Sequence, residues 1–99
     1  MVHPPCIGYS VVFSREADKD LHKLEKKTIT KVLEKIRDLT SDRSSHLNIK
    51  KLKLKSQLYR LKFGDYRVVY CIKQKEIIVQ IVAVGHRKNV YDILSRRVE

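Results

Sequence analysis

The chain has 99 residues and carries 22 Lys and Arg against 11 Asp and Glu, a formal net charge of +11. That length suits one domain over 1–99. No stretch approaches the ~20 apolar residues that cross a bilayer, and "MVHPPCIGYS" has neither the basic flank nor the apolar run of a signal peptide, so a cytoplasmic, membrane-free protein is expected. A compact domain with this much positive charge repels itself, and polyanions, either nucleic acid or an acidic protein, are its natural partners.

Residues 7–13, "IGYSVVF", are rich in β-branched and aromatic types and predict a strand. Ser14 stands at an N-cap position, with Glu16 and Asp18 in the first turn to face the helix dipole. Ala17, Leu21 and Leu24 recur at helical spacing, which predicts a helix over 15–26. Ile29, Val32, Leu33, Ile36 and Leu39 make a second apolar stripe, which predicts a helix over 29–40 capped by Thr28. The two helices form a hairpin that turns near Lys26–Thr28. "TSDRSSH", 40–46, is a polar loop. In "LNIKKLKLKSQ", 47–57, the alternating Leu and Lys suit a short edge strand, where lysines guard against strand-to-strand pairing.

"LYRLKFGDYRVVYCI" holds two period-2 runs around Gly64-Asp65, the composition of a type II′ hairpin turn. That turn pairs Phe63 with Tyr66 and Leu61 with Val68. Tyr59, Leu61, Phe63, Tyr66, Val68, Tyr70 and Ile72 then share one face, and Arg60, Lys62, Arg67, Val69 and Cys71 the other. "KQKE", 73–76, is a turn. The apolar run 77–84 suits a central strand covered on both faces and ending at Gly85. "NVYDILSRRV" predicts a short C-terminal helix capped by Asn89. The expected class is α+β: an N-terminal strand, an α-helical hairpin, an antiparallel β-meander and a short C-terminal helix. Cys6 and Cys71 lie far apart without CxxC spacing and are expected as reduced thiols.

The residues with chemical potential gather in this second half. Arg60, Lys62 and Arg67 leave one face of the first hairpin, and His86, Arg87 and Tyr91 follow the last core strand. Arg67 sits mid-strand, where a guanidinium is partly desolvated and needs an anion or a carboxylate. Several cations fixed on one sheet face would grip phosphates, and guanidinium groups would stabilise the charge of a pentacoordinate phosphorus. RNA carries its own nucleophile, the 2′-hydroxyl, so such a face could cut RNA without a metal. Plainer roles stand beside this one. Arg67 could snorkel or pair with an acid, His86 could be a surface imidazole, Arg87 could cap a carbonyl, and Tyr91 could anchor the last helix. His3 and Cys6 have a ligand-like gap, but His22, His46 and His86 form no metal-binding spacing. No P-loop, GxSxG or GxGxxG is present.

"LYRLKFGDYRVVYCI", followed by an apolar strand and "VGHRKNVY", resembles the RelE/ParE superfamily of toxins from bacterial and archaeal type II toxin–antitoxin systems, and most of all its RelE branch. The resemblance covers nearly the whole chain. It implies a metal- and cofactor-independent mRNA endonuclease acting in the ribosomal A site, with a RelB-like antitoxin as partner in a hetero-oligomer. It places Arg67 at a phosphate-binding position, Arg87 where the transition state or leaving group is stabilised, and Tyr91 where a tyrosine stacks on substrate or assists proton transfer. Arg60 falls where the family carries a catalytic lysine; arginine stays protonated, so it stabilises charge but is a poor base. Leu58 falls on a second lysine position, for which Lys62 or Lys55 could compensate. His86 replaces a lysine of some members, and an imidazole can act as acid or base. The base stays open between Tyr91 and His86. Lys50, Lys51, Lys53, Lys55, Lys62 and Lys88 are the expected RNA contacts. Two other readings remain: a ParE-like inhibitor of DNA gyrase, and a catalytically weakened toxin that binds RNA or antitoxin.

Overall fold

A computed structural model describes residues 6–53 and 57–97. Strand β1 (Ser10–Phe13) leads into α1 (Arg15–His22) and α2 (Lys26–Leu39), followed by strands β2 (Asn48–Lys51), β3 (Tyr59–Phe63), β4 (Tyr66–Lys73) and β5 (Ile78–His86) and helix α3 (Val90–Arg97). Ser14 caps α1 as its position implied, its Oγ accepting the Ala17 N–H at 3.1 Å; such a cap is worth about 1 kcal/mol. The helical hairpin turns earlier than the apolar spacing suggested. α1 ends at His22, and α2 starts at Lys26 behind Glu25, not behind Thr28. Leu24, counted into the first helix, is half-buried in that short connection and still packs on the core.

The sheet has five strands in the order β1-β5-β4-β3-β2. The run from β2 to β5 is antiparallel, as expected, and β1 joins the far side parallel to β5, which makes the sheet mixed. The Gly64-Asp65 turn sets the inferred register, with Phe63 opposite Tyr66 and Leu61 opposite Val68. Gly64 has φ +53°, the left-handed value that the first central position of this turn demands. Helices α1 and α2 cover one face through Ala17, Leu21, Val32, Ile36 and Leu39, against Leu61, Val68, Tyr70, Val79, Ile81 and Val84. Helix α3 covers the other, where Val90 and Leu94 pack on Leu58, Val69 and Ala83. Cys6 is buried, and Cys71 is half-buried with its Sγ 3.7 Å from Gln80 Oε1. Among the described residues no helix is long and apolar enough to cross a membrane.

Two features of β5 depart from the sequence reading. The strand does not stop at Gly85 but runs on through His86. It also carries a β-bulge: Val69 pairs with Ala83 while Tyr70 pairs with Ile81, so Val82 is the extra residue. An extra residue reverses the in-out alternation beyond it. Val79 and Ile81 before the bulge, and Val84 after it, therefore all face α1 and α2.

The bulge is held by an ion pair between residues distant in sequence. β1 ends opposite Ile81, so the following residues of β5 have no strand on that side. Asp20 of α1 is buried there, and its Oδ2 accepts the Val84 N–H at 3.1 Å. The Arg97 guanidinium of α3 donates to both Asp20 oxygens, at 2.7 and 2.9 Å, and to the Val82 carbonyl at 3.0 Å. The hydrogen bond to Asp20 raises the Arg97 pKa above the ordinary arginine value, so the guanidinium stays charged.

Tyr70 is fully buried and stacks on Tyr59 at 5.6 Å, but its hydroxyl has no hydrogen-bond partner among the described residues. Burial pushes its pKa well up. The folded state therefore keeps a proton that the unfolded chain releases near pH ~10, and stability falls as pH rises through that value. Tyr70→Phe removes an orphaned hydroxyl and the linked proton. It should stabilise the protein by about 1 kcal/mol at neutral pH and flatten the alkaline loss, as read by urea melts on either side of that pH. A less stable variant at neutral pH would show that the hydroxyl is satisfied.

Candidate functional site

Strand alternation and cross-strand register assemble one basic face. On the side of the sheet that carries α3, Asn48, Lys62, Arg67 and Gly85 lie in one row across β2, β3, β4 and β5, and Lys50, Arg60 and Val69 lie in the next. Arg67 is only 8% exposed. Its Nη1 donates to the carbonyls of Gly64 and Tyr66, at 3.0 Å each, so it braces the hairpin turn. Neither the snorkelling nor the acid-paired geometry is found: among the described residues no carboxylate neutralises it. Arg60 donates from Nη2 to Asn48 Oδ1 at 2.9 Å, while its Nε is buried with no acceptor among the described residues. An orphaned charged donor is costly, so an incoming anion oxygen there gains more than one at a solvated surface. Asn48 escaped the sequence reading; only its register opposite Lys62 reveals it.

The rim of this face is built where β5 ends. Gly85 is buried opposite Arg67, and the start of α3 packs over it, where a Cβ would meet Val90 Cβ at an ordinary contact distance of 3.7 Å. Val90 and Leu94, not Tyr91, anchor the helix. Tyr91 is 41% exposed at its first turn. Arg87 is exposed as well; its amide donates to the Asp65 carbonyl at 2.7 Å and its Nε lies 3.4 Å from Asp65 Oδ1. An ion pair so open to water contributes little and yields readily to a stronger anion.

The structure separates other candidates from this face. His86 pairs with Tyr66 across the ladder, and the two rings meet edge to face at 5.7 Å. Tyr66 in turn stacks on Phe63, which packs against the α1/α2 core. The bulge has thus put His86 on the face opposite Arg67, and its Nδ1 accepts the Lys88 N–H at 3.2 Å. Lys51 shares its register with Tyr59 and so falls on that opposite face too. Lys50 and Lys62 are exposed on the Arg67 face, and Lys53 and Lys88 are exposed in connections at its margins. Lys55 lies outside the described residues. Leu58 is buried beneath α3 in the second core and carries no charge to the site. Among the described residues, no three His, Cys, Asp or Glu side chains cluster to hold a metal ion.

This architecture has well-matched relatives. Residues 11–91 match the sequence model of a family described as the ParE toxin of the type II toxin–antitoxin system parDE. A RelE-like toxin protein of Escherichia coli is 29% identical over 93 residues, covering 90% of this chain and 96% of that protein. Among solved structures, a chain of the toxin–antitoxin complex RelBE2 from Mycobacterium tuberculosis superposes with a TM-score of 0.69 at 29% identity, covering 84% of this chain and 95% of that one. A chain of the archaeal RelE–RelB complex from Pyrococcus horikoshii does so with a TM-score of 0.68 at 26% identity, over 85% and 100%. With four-fifths of its length inside the family match, its helices and mixed sheet superposing on RelE-type chains, the chain belongs to the ParE toxin family of type II toxin–antitoxin systems and is a RelE-like toxin of the RelE/ParE superfamily.

Proposed function

We propose that this toxin is a ribosome-dependent endoribonuclease that cuts mRNA in the A-site codon. One observation carries the reading: Arg60, Lys62 and Arg67 are neighbours on one sheet face with no acidic partner among the described residues, and Arg67 is nearly buried. Prepositioned cations of this kind stabilise the charge that gathers on a phosphorus under attack. In the reaction, the 2′-hydroxyl loses its proton to a base and its oxygen bonds to the adjacent phosphorus. The P–O5′ bond breaks, and the departing oxygen takes a proton. The products are a 2′,3′-cyclic phosphate and a 5′-hydroxyl. Arg67 and Arg60 hold the non-bridging oxygens. Arg87 moves from Asp65 to the phosphate as charge builds. Tyr91 stacks on the base or relays a proton from the same side. With His86 on the other face, the base falls to Tyr91 or to Lys62, the cross-strand partner of Arg67. The face that grips RNA is also the one a RelB-like antitoxin would cover, in a cytoplasmic toxin–antitoxin complex.

A second reading follows from the match to a family described as the ParE toxin: inhibition of DNA gyrase through a protein surface, as the resemblance to ParE implies. Leu58 and Arg60, standing where lysines are expected, leave room for a weakened nuclease that only binds.

Primer extension on mRNA in programmed ribosomes separates these. The purified toxin should cut within the A-site codon, and Arg87→Ala should lower the rate about 100-fold. Intact mRNA with a folded wild-type protein would overturn the nuclease, and a gyrase supercoiling assay would follow.

A further inference from the structure

We propose that the face opposite Arg67 carries a second RNA contact, a platform that takes an unpaired base on Phe63 and Tyr66 and its flanking phosphates on Lys27, Lys31 and Lys35. These residues line one groove of about 380 Å³ between α2 and the β3–β4 hairpin. The three lysines repeat every fourth residue, so they form a single line along α2. None is in an ion pair among the described residues. Their placement works against the helix that bears them. Like charges one turn apart repel, and although Glu25 stands at the N-cap it makes no capping hydrogen bond and the first turn of α2 contains no acidic residue, so Lys26 and Lys27 lie against the positive end of the helix dipole. An anion in the groove would relieve both.

The opposite wall supplies what a phosphate alone does not need. Phe63 and Tyr66 stack with ring centroids 6.0 Å apart, and His86 closes the row edge-on to Tyr66. Aromatic faces beside a lysine line are the combination that binds single-stranded nucleic acid, because every base has a π-face and every nucleotide a phosphate. An acidic protein segment would use the lysines and leave the rings idle. The one carboxylate in the lining, Asp65, is engaged by Arg87. The preference for RNA over DNA rests on the ribosomal function proposed above; the platform itself does not.

Fluorescence anisotropy with a labelled oligouridylate tests this on the full wild-type chain, with no ribosome present to support cleavage. Replacing Lys27, Lys31 and Lys35 by glutamine should lower the slope of log affinity against log salt by about 2, at ~0.7 for each phosphate left without its lysine. Removing the same charge elsewhere, with Lys19, Lys73 and Lys75 changed to glutamine, should leave that slope nearly intact. Tyr66→Leu should weaken binding roughly tenfold while Tyr66→Phe holds it. Equal slope losses from both lysine sets, or equal affinities for Tyr66→Leu and Tyr66→Phe, would overturn the platform. So would competition by polyglutamate as effective as by unlabelled oligouridylate. A matching oligodeoxynucleotide that binds tighter than the RNA would overturn the assignment to RNA. Each of these outcomes is independent of whether primer extension finds cleavage.

Discussion

Arg97→Ala should cost about 3 kcal/mol of stability, a large share of the 5–15 kcal/mol that holds a domain of this kind together. The substitution leaves the Asp20 carboxylate, whose side chain is only 4% exposed, with the Val84 amide as its remaining partner, and it strips the Val82 carbonyl of its donor. A buried charge that loses its counterion costs far more than an exposed one. In thermal melts the loss should appear as a fall in Tm of roughly 12–24 °C, at 4–8 °C per kcal/mol for a chain of this length. Asp20→Asn should cost less, because an amide oxygen can still accept from Val84. Replacing Asp20 and Arg97 together by leucine should recover part of the loss, since apolar pairs often substitute for buried ion pairs. Recovery should stay incomplete, as the bulge would then leave Val82 and Val84 unsatisfied. If Arg97→Ala lowers stability by less than about 1 kcal/mol, as an exposed ion pair would, the lock between α1, β5 and α3 is not formed in solution.

Arg67→Ala should lower mRNA cleavage by about 10²–10³, the usual cost of losing a prepositioned donor to a developing oxyanion. The loss should fall on the single-turnover rate at saturating toxin, because an interaction made mainly in the transition state affects chemistry more than binding. Arg67 also braces the hairpin turn through Gly64 and Tyr66, so alanine should cost about 1–2 kcal/mol of stability as well. Arg67→Lys separates the two roles. A lysine keeps the charge but has no planar fork to serve the turn and a phosphate at once. It should fold better than the alanine variant and still cleave far more slowly than the parent. An Arg67→Ala protein that is folded and cleaves within about threefold of the parent would remove Arg67 from the reaction.

Local signals in the sequence reached far toward these residues. The Gly64-Asp65 turn between two alternating runs fixed the β3–β4 register, and with it the shared face of Arg60, Lys62 and Arg67, because period-2 alternation is a property of the strand alone. Ser14 and the apolar stripes of α1 and α2 were equally readable, since a cap and a 3.6-residue repeat need only near neighbours. The start of α2 was misplaced by three residues because Lys26 and Lys27 carry no apolar signal, although they are helical.

The side of the sheet on which His86 lies could not be read from the chain. The bulge at Val82 sits inside "IVQIVAVG", where nearly every residue is apolar, so no alternation marks the change of phase. The strand is covered by α1 and α2 on one face and by α3 on the other, which removes the contrast a half-exposed strand would have shown. Asp20 likewise reads as an ordinary polar residue in a charged helix until Arg97 arrives from 77 positions away. By itself the sequence determined the elements, the hairpin register, the basic face and the resemblance to a toxin family, because each is written in residues close together in the chain. Only the tertiary structure decided that β1 adds in parallel, that an ion pair holds the bulge, and that His86 stands with Tyr66 rather than with Arg67, because each depends on residues that meet only when the chain closes on itself.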